Sequence, residues 1–434
     1  MAVLHLGKLA HLKVNPFERA EALEIIEHGA LLVGDDGRIL AVGDRADLTD
    51  QAASARRIDH GTAWLLPGLV DGHSHFSQYH VTAAPGADLL DWLERSVFPA
   101  EARFVEEGYA QAAATGFIHR LLACGTTTAM VFGSQFLGAN LALFDAARSA
   151  GMRLIAGMTL MDRGAPEVLL HKLSQARDGM EHLIARVHDE PLLHYAVTPR
   201  FAPACSPSLL DLCGEIHRAN PECYVQTHIN ESPAEIEQAA RLFPKERDYL
   251  AIYQRFGLIG RRSMLAHDIH VSDDQLQRIA YAQCSVCHCP TSNLYLGSGL
   301  FPLQRHLKRG IAMAIGTDIG AGTRFSLWQE LPEVYKVQHI QGCRLDAAQL
   351  LYLGTLGGAT ALDLDRETGN FDAGKSADFL VLDPLGSPYL AERLDRCESH
   401  EDQLFCLLHL ATEREVRATF VAGQTVWLNR GISH

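Results

Sequence analysis

Two histidines one residue apart, His73 and His75, follow an apolar run in the stretch PGLVDGHSHFSQ. Side chains at positions i and i+2 of a strand point to the same side of that strand. A strand that ends here therefore presents two imidazoles to one point, which is how a fold supplies two ligands to a metal ion. The pair alone is weak support, because the chain has 22 histidines.

Further polar residues follow three other apolar runs, in THINE at 227–231, AHD at 266–268 and GTD at 316–318. A catalytic divalent metal takes histidine nitrogens and carboxylate oxygens and keeps one position open for water. Four residues can supply such a set: His73, His75, His228 and Asp318. A single strand-end histidine is often a core residue, but such polar residues at four predicted strand ends, the one that carries His267 included, favour a metal centre.

The residues near these ligands suit hydrolysis. A metal lowers the pKa of its bound water from 15.7 to about 7, and the reaction then needs a proton carrier. Glu231, three residues after His228, is placed for that role. We interpret His267 as a second polar partner of the water rather than as a further ligand.

The elements that must position these residues alternate between short apolar runs and longer helix-like stretches. The eight runs are Leu65–Val70, Thr126–Phe132, Leu154–Thr159, Leu193–Thr198, Cys223–Thr227, Ser263–Ala266, Gln283–Cys287 and Ile311–Gly316. The helical stretches are Glu106–Leu122, Ala165–Val187, Pro207–Arg218, Pro233–Leu242 and Leu327–His339. Such alternation indicates parallel βα units. Eight units predict an α/β fold of the (β/α)8 TIM barrel type, whose active site lies at the C-terminal ends of its strands.

Both ends of the chain are rich in β patterns. Two apolar runs flank Asp35-Asp36-Gly37, which predicts a hairpin, and residues 378–383 and 416–427 read as further strands. We expect a small β-sandwich domain built from both termini. The predicted boundaries are 1–67 and 373–434 for this domain and 68–372 for the barrel.

The composition excludes some classes of protein. The chain has 434 residues and a net charge of −14, which argues against binding to nucleic acid. It has no apolar run near the ~20 residues of a membrane span and no secretory signal, so we expect a cytoplasmic protein without membrane partners. Ten scattered cysteines suit a reducing compartment.

The run CSVCHC at 284–289 contains C-x-x-C-H, the pattern of covalent haem attachment. Such attachment accompanies export, and no export signal is present. The run also reads as a buried strand, so we interpret Cys284 and Cys287 as small core residues, with an electron carrier as the alternative.

The segments PGLVDGHSH, THINE, AHDIH and GTDIGAG together resemble the amidohydrolase superfamily over essentially the whole chain. A narrower resemblance is to the guanine deaminase family. It rests on five segments: HFSQ at 75–78, DLLDWLERSVFPAE at 88–101, TPRFAPACS at 198–206, HINESPAEIE at 228–237 and HCPTSNLYLGSG at 288–299.

This resemblance implies that Gln78, Arg200 and Phe201 hold the purine, together with Glu231. It implies one zinc per chain, a homodimer, and hydrolysis of guanine to xanthine and ammonia. Glu231 would protonate N3 of guanine, and Asp318 and His267 would help to ionise the water that attacks C2. The fourth run, HYAVTPRF, offers no lysine to bridge a second metal.

Some alternatives stay open. The chain departs from the animal pattern at Asp268 and His270 and beside Glu231 at Asn230 and Ser232, which leaves 8-oxoguanine, another aminated purine, a pterin or a triazine as alternative substrates. A non-catalytic barrel scaffold is the alternative from a different class. The segment Leu89–Phe98, with Trp92, is either a lid or interface, or a helix that packs inward.

Overall fold

The structure is a computed structural model that describes residues 1–48, 52–86 and 89–429. Parts of three predicted segments lie outside the described residues. These parts are 49–51 and 430–434, from the two terminal segments of the small β domain, and residue 88, from the motif at 88–101.

Sixteen strands lie within the described residues. They are β1 (Val3–Leu12), β2 (Leu23–Val33), β3 (Ile39–Asp44), β4 (Arg56–Pro67), β5 (Leu69–His75), β6 (Thr126–Phe132), β7 (Arg153–Gly157), β8 (Thr159–Leu160), β9 (Leu193–Pro199), β10 (Tyr224–Ile229), β11 (Ser263–His267), β12 (Ser285–His288), β13 (Met313–Ile315), β14 (Phe379–Leu382), β15 (Val416–Val421) and β16 (Gln424–Leu428).

Seventeen α-helices lie in the same part of the chain. They are α1 (Arg45–Leu48), α2 (Leu89–Trp92), α3 (Phe98–Ala102), α4 (Glu107–Ala123), α5 (Leu137–Ala150), α6 (Leu173–Val187), α7 (Pro207–Ala219), α8 (Pro233–Leu242), α9 (Tyr249–Arg255), α10 (Asp273–Tyr281), α11 (Pro290–Tyr295), α12 (Leu303–Leu307), α13 (Leu327–Ile340), α14 (Ala347–Gly354), α15 (Leu356–Ala361), α16 (Pro388–Leu394) and α17 (His400–Leu410). A π-helical turn, Leu93–Val97, joins α2 to α3. In the described ranges, every helix is too short or too polar to span a bilayer.

Eight parallel strands close into a ring in the order β5, β6, β7, β9, β10, β11, β12 and β13, with β13 beside β5 and the two-residue β8 beside β9. Helices lie between successive strands, so the predicted (β/α)8 TIM barrel is confirmed. Because the strands are parallel, their C-terminal ends all face one end of the barrel.

Local sequence fixes where several of these helices begin. Ser206 accepts a hydrogen bond from the Leu209 backbone at the start of α7, and Pro207 occupies the first turn, where its missing N–H costs nothing. At the start of α8, Ser232 and Glu235 form a capping box, which satisfies two backbone donors reciprocally.

The first predicted barrel run, Leu65–Val70, is divided in the structure. β4 ends at Pro67 and β5 begins at Leu69, and a side chain on the intervening Gly68 would collide with Thr127. β4 belongs to the terminal sheet, and β5 is the first barrel strand. Consequently the predicted run spans the junction of two sheets, and His73 and His75 lie within the end of β5 rather than beyond it.

The terminal strands form a separate seven-stranded sheet, in the order β16, β15, β14, β4, β1, β2, β3. The predicted hairpin is confirmed, since β2 and β3 pair antiparallel around Gly37, whose φ is 77°. The core of this sheet joins both ends of the chain, because Leu9 and Leu65 pack in one cluster with Phe379 and Phe420. Each such buried side chain contributes about 1.5–3 kcal/mol of stability.

The chain divides into two compact units. One contains residues 1–71, 119–128 and 326–429, and the other contains Gly72–Ile118 and Ala129–Phe325. Every residue predicted to bind the metal or the substrate belongs to the second unit.

Candidate metal centre and active site

The ends of β5 and β13 bring His73, His75 and Asp318 together. The Oδ1 atom of Asp318 lies 3.3 Å from His73 Nε2 and 3.2 Å from His75 Nε2. The Asp318 backbone N–H also donates to the His73 carbonyl at 2.8 Å. The close approach depends on Gly316, because a Cβ there would lie 2.8 Å from His73 Cβ.

His228, at the end of β10, completes the group. Its Nε2 lies 3.1 Å from His75 Nε2, and its Nδ1 lies 2.6 Å from the Arg200 carbonyl oxygen. A carbonyl oxygen only accepts, so the proton of a neutral His228 ring sits on Nδ1. The Nε2 lone pair then faces His75 and is available to a metal, as in metal sites where a second interaction fixes the tautomer.

Electrostatics keep these groups in their ligand forms. Burial, opposed by the hydrogen bond with Asp318, lowers the pKa of His75 to about 4. Burial and the neighbouring histidines His73 and His75 hold the pKa of His228 well below its usual value. Burial acts to raise the pKa of Asp318, but hydrogen bonds from His73 and His75 hold it well below its usual range. Neutral imidazoles beside a carboxylate are the donor set of a divalent metal.

Ring nitrogens of His73, His228 and His267 lie within 4.8 Å of one another, and so do ligand atoms of His73, Cys289 and Asp318. The residues present therefore fit a metal ion. Phe132, the last residue of β6, supports the histidines, with ring centroids 4.7 Å from His75 and 4.6 Å from His228.

His267 and Glu231 stand beside this group. His267 Nε2 lies 3.6 Å from Glu231 Oε2 and 3.9 Å from Asp318 Oδ2. Its Nδ1 lies 2.9 Å from the side-chain amide of Asn293, which holds the ring in place. Burial lowers the pKa of His267 to about 3, so the ring is neutral at physiological pH.

Glu231 is poised to hold a proton. Burial raises its pKa well above the usual value, and the charges of Glu235 and Asp318 act in the same direction, while a 3.3 Å hydrogen bond from Ser298 opposes them. The Glu231 backbone N–H donates to Glu235 Oε2 at 2.8 Å. Since Glu235 also closes the capping box of α8, the helix start fixes the position of the acid.

Four residues of this region have a left-handed backbone although none is glycine. They are Asn230, His267, Asp268 and Asp318, with φ between 45° and 72°. Such strain costs of order 1 kcal/mol or more per residue and clusters at active sites. Here it turns the chain at strand ends and aims side chains at one point.

Asn230, Asp268 and His270, where the sequence departs from the pattern of the animal enzymes, form hydrogen bonds close to the site. Asn230 Nδ2 donates to Asp268 Oδ1 at 2.7 Å, and Asp268 Oδ2 lies 3.0 Å from His306 Nε2. His270 Nε2 lies 2.8 Å from the carbonyl of Ser298, whose hydroxyl contacts Glu231. These departures therefore form part of the support behind the site.

A cavity of about 390 Å³ opens above the group. Its lining residues are His75, Gln78, Trp92, Leu93, Arg200, Phe201, His228, Glu231, His267, Leu296, Asp318 and Ala321. Eight of the nine predicted site residues thus line one cavity, and the ninth, His73, contacts Asp318 behind it. A second cavity of about 950 Å³ shares Leu93, Arg200 and Phe201 with the first.

Sequence reasoning missed Glu101, at the end of α3. This side chain is 1% exposed, and its carboxylate accepts hydrogen bonds from Gln78 at 3.3 Å, Gln135 at 2.8 Å and Arg200 at 2.7 Å. The only sequence signal that pointed to this position was the FPAE motif at 98–101. Glu101 therefore links two residues predicted to hold the substrate.

The segment Leu89–Phe98 packs inward through Trp92. Trp92 is 1% exposed and packs in a cluster with Val97 and Ala321, and it also lines the first cavity. Trp92 therefore packs inward, and its buried side chain also forms part of the cavity lining.

The cysteines of the run at 284–289 are buried. Burial raises the pKa of the Cys284 thiol to about 12, which makes it a poor nucleophile. Cys287 and Cys289 lie with their sulfur atoms 4.0 Å apart, on the side of the barrel that carries His73.

Comparisons with known proteins extend over both parts of the fold. Residues 64–426 match the amidohydrolase family. The guanine deaminase of Escherichia coli strain K12 is 40% identical over 95% of this chain and 94% of its own length. A solved structure of E. coli guanine deaminase has a TM-score of 0.95 at 37% identity, covering 99% of this chain and 100% of that one. A guanine deaminase from C. acetobutylicum, with guanine bound in its active site, has a TM-score of 0.90 at 27% identity, covering 98% and 100%.

Proposed function

Because this chain belongs to the amidohydrolase family and, within it, to the guanine deaminases, we propose that it hydrolyses guanine to xanthine and ammonia as a step of guanine catabolism. The chain is a hydrolytic deaminase. The observation that carries the choice of substrate is the cavity in which Gln78, Arg200 and Phe201 face the histidine and carboxylate group. The relative from C. acetobutylicum, which binds guanine in the corresponding fold, supports it.

The proposed ligands are His73, His75, His228 and Asp318, which would hold one zinc per chain. Bound there, a divalent metal supplies Lewis acidity that makes a water nucleophilic near neutral pH. The support from this chain is that burial favours the neutral imidazoles of His75 and His228 beside an ionised Asp318. Zinc suits nitrogen and carboxylate ligands with an open position.

The cavity walls would orient the base. The buried Arg200 guanidinium and the Gln78 amide offer donors and an acceptor to the polar edge of a flat heterocycle. Phe201 lines the same cavity and supplies an apolar face for the ring.

Glu231 would move the protons. Burial raises its pKa and so favours the protonated form, which can donate to a ring nitrogen of guanine and make C2 more electrophilic. The resulting carboxylate can accept one proton from water and pass it to the departing amine, and the second water proton, released as the C2 hydroxyl becomes a carbonyl, then restores the acid. His267, 3.6 Å away, and Asp318 hold the water beside it.

Ammonia release from a panel of purines, pterins and triazines, with protein of known metal content, tests this proposal. Conversion of guanine to xanthine with about one zinc per chain is the expected result. Preferred turnover of 8-oxoguanine, another aminated ring or a triazine would replace guanine while leaving the site roles in place. The adjoining 950 Å³ cavity, which shares Arg200 and Phe201, is the feature that would admit such a substituted ring. Failure to release ammonia from any of them would overturn the function.

We also propose a location, an oligomeric state and domain bounds for the chain. We propose a cytoplasmic homodimer. The barrel domain spans 68–372, and the small β domain spans 1–67 and 373–434. The cytoplasmic location is consistent with ten cysteines that are all free in the structure.

A further inference from the structure

Glu101 is a buried carboxylate that does not line the cavity yet contacts residues that do. It lies at the end of α3 and is 1% exposed. Its Oε1 accepts from Gln78 Nε2 at 3.3 Å and from the Ser77 hydroxyl at 3.5 Å. Its Oε2 accepts from Arg200 Nη1 at 2.7 Å and from Gln135 Nε2 at 2.8 Å.

These contacts fix the orientation of two cavity residues. One donor of the Gln78 amide is committed to Glu101, so its oxygen points the other way, where the Gly320 N–H approaches it at 3.4 Å. One nitrogen of the Arg200 guanidinium is committed as well. The planar geometry of the guanidinium then fixes the direction of its remaining N–H groups.

The contacts also fix the charge of the cavity. The Arg200 side chain is only 4% exposed, and its charge pairs with Glu101. The Phe98 ring at 5.5 Å and the Met161 sulfur at 3.9 Å, which also lie beside the guanidinium, are uncharged. A buried cation without a partner would attract an anion strongly, because water screens it little.

We propose that Glu101 is a specificity-determining positioning residue, which orients Gln78 and Arg200 and cancels the charge of Arg200 so that the cavity binds a neutral base and releases an anionic product. This inference rests on the proposed function. Guanine is neutral near physiological pH. Xanthine carries a carbonyl where guanine carries the amine, so it loses a ring proton more readily and is the more anionic of the two. An unpaired Arg200 would hold that anion.

The test uses the metal-loaded protein with Glu101 changed to Gln, which keeps the size of the side chain and removes its charge. Glu215→Gln is the matched control, because Glu215 also pairs with an arginine, Arg177 at 2.7 Å, but on the exposed surface. Glu101→Asp keeps the charge and shortens the reach. For each protein we would measure kcat and KM for guanine, and the affinity for xanthine at pH 6 and at pH 9 by calorimetry.

For Glu101→Gln we expect KM to rise by about tenfold or more, since one partner of a buried charge pair is lost, with a smaller change in kcat. We also expect xanthine to bind more tightly than to wild type, with the difference growing from pH 6 to pH 9. Glu101→Asp should raise KM yet keep the wild-type pH dependence of xanthine binding. Glu215→Gln should match wild type in both.

Two results would overturn the proposal: an unchanged KM in Glu101→Gln, or the same ratio of xanthine affinities at the two pH values as in wild type. If Glu101→Gln does not fold, a pH ratio in Glu101→Asp that departs from wild type would overturn it equally. Xanthine binding needs no turnover. A wild type that fails to deaminate guanine would therefore refute the proposed function, while the pH ratios still decide the role of Glu101.

Discussion

The Nε2 atoms of His75 and His228 lie 3.1 Å apart, although both rings are buried and neutral. The Arg200 carbonyl holds the ring proton of His228 at Nδ1, so its Nε2 is a bare acceptor. His75 Nε2 also lies 3.2 Å from Asp318 Oδ1. Two imidazole nitrogens and one carboxylate oxygen thus converge on one small volume, and a cation bound there would take the place of the proton that His75 shares with Asp318.

The first prediction concerns this convergence. His228→Ala should lose most of its metal after dialysis, whereas His182→Ala, on the exposed face of α6, should keep it. A ligand in thousandfold excess over its Kd stabilises a fold by about 4 kcal/mol. Chelation should therefore lower the melting temperature of wild type but not of His228→Ala. Elemental analysis and thermal unfolding check both points, and equal metal content in the two variants would remove His228 from the ligand set.

A second prediction separates proton transfer from metal binding. Glu231→Gln should keep its metal while turnover falls by about 10²- to 10⁴-fold, the usual contribution of a general acid–base group. Glu237→Gln is the control, because Glu237 lies nearby on α8 but is exposed and pairs only loosely with Arg241 at 3.6 Å. Metal content and initial rates measured on the same samples check it. Turnover retained by Glu231→Gln would assign the protons to another group.

Trp92 gives a third prediction. Its Nε1 is buried with no hydrogen-bond partner among the described residues, and the residue lines the cavity. Trp92→Phe should therefore raise KM about fivefold, since one hydrogen bond contributes about 1 kcal/mol. Trp328→Phe is the control. Trp328 Nε1 donates to the Cys124 carbonyl at 3.1 Å, so its loss should lower stability without changing KM. Equal KM in both variants would show that the Trp92 N–H makes no contact with substrate.

A fourth prediction concerns acid and the terminal sheet. Burial, then the charges of His60 and Arg56, lowers the pKa of His5 to about 3, and burial, then Arg417, lowers the pKa of His60 to about 4. Both groups titrate near 6.5 when unfolded. Below pH 6.5 the unfolded chain therefore binds protons that the folded chain does not, and the free energy of unfolding falls as the pH drops toward 4.

Each such histidine contributes a slope of up to about 1.4 kcal/mol per pH unit. His60→Gln should therefore lose stability less steeply than wild type between pH 6 and pH 4.5, in denaturant titrations at matched salt. His182→Gln, at an exposed position, should follow wild type. An identical slope in His60→Gln would mean that the pKa of His60 is the same in the folded and unfolded states.

The sequence predicted the barrel well because its signals are local. Each strand is a short buried run, and the polar residues stand at its end, as at Thr227-His228 and Thr317-Asp318. The sequence analysis did not predict helix α5, because Phe136, the residue before it, provides no side-chain cap. The break between β4 and β5 at Gly68 was also not predicted. The side chain that leaves no room for a larger residue there is that of Thr127, which belongs to a different strand.

The residues that hold the site side chains in place could not be predicted from the sequence in the same way. Glu101 and Arg200 are 99 residues apart, and neither has a spacing pattern that marks a pair. Asn293 lies in the short helix α11 and Ser298 in the loop that follows it, and only folding brings them to His267 and Glu231. Their positions appeared in the motifs of the resemblance, but their roles depend on distances that a sequence does not contain.

The pairing of Asp318 with His73 and His75 has a consequence for biosynthesis. These residues belong to the last and first strands of the barrel, so the metal centre is incomplete until nearly three quarters of the chain has left the ribosome. At about 5–20 residues per second, the histidines of β5 exist for on the order of tens of seconds before their carboxylate partner is made. The proposed metal centre would therefore be complete only in the finished barrel, where a bound ion would join the first strand of the closed ring to the chain just after its last strand.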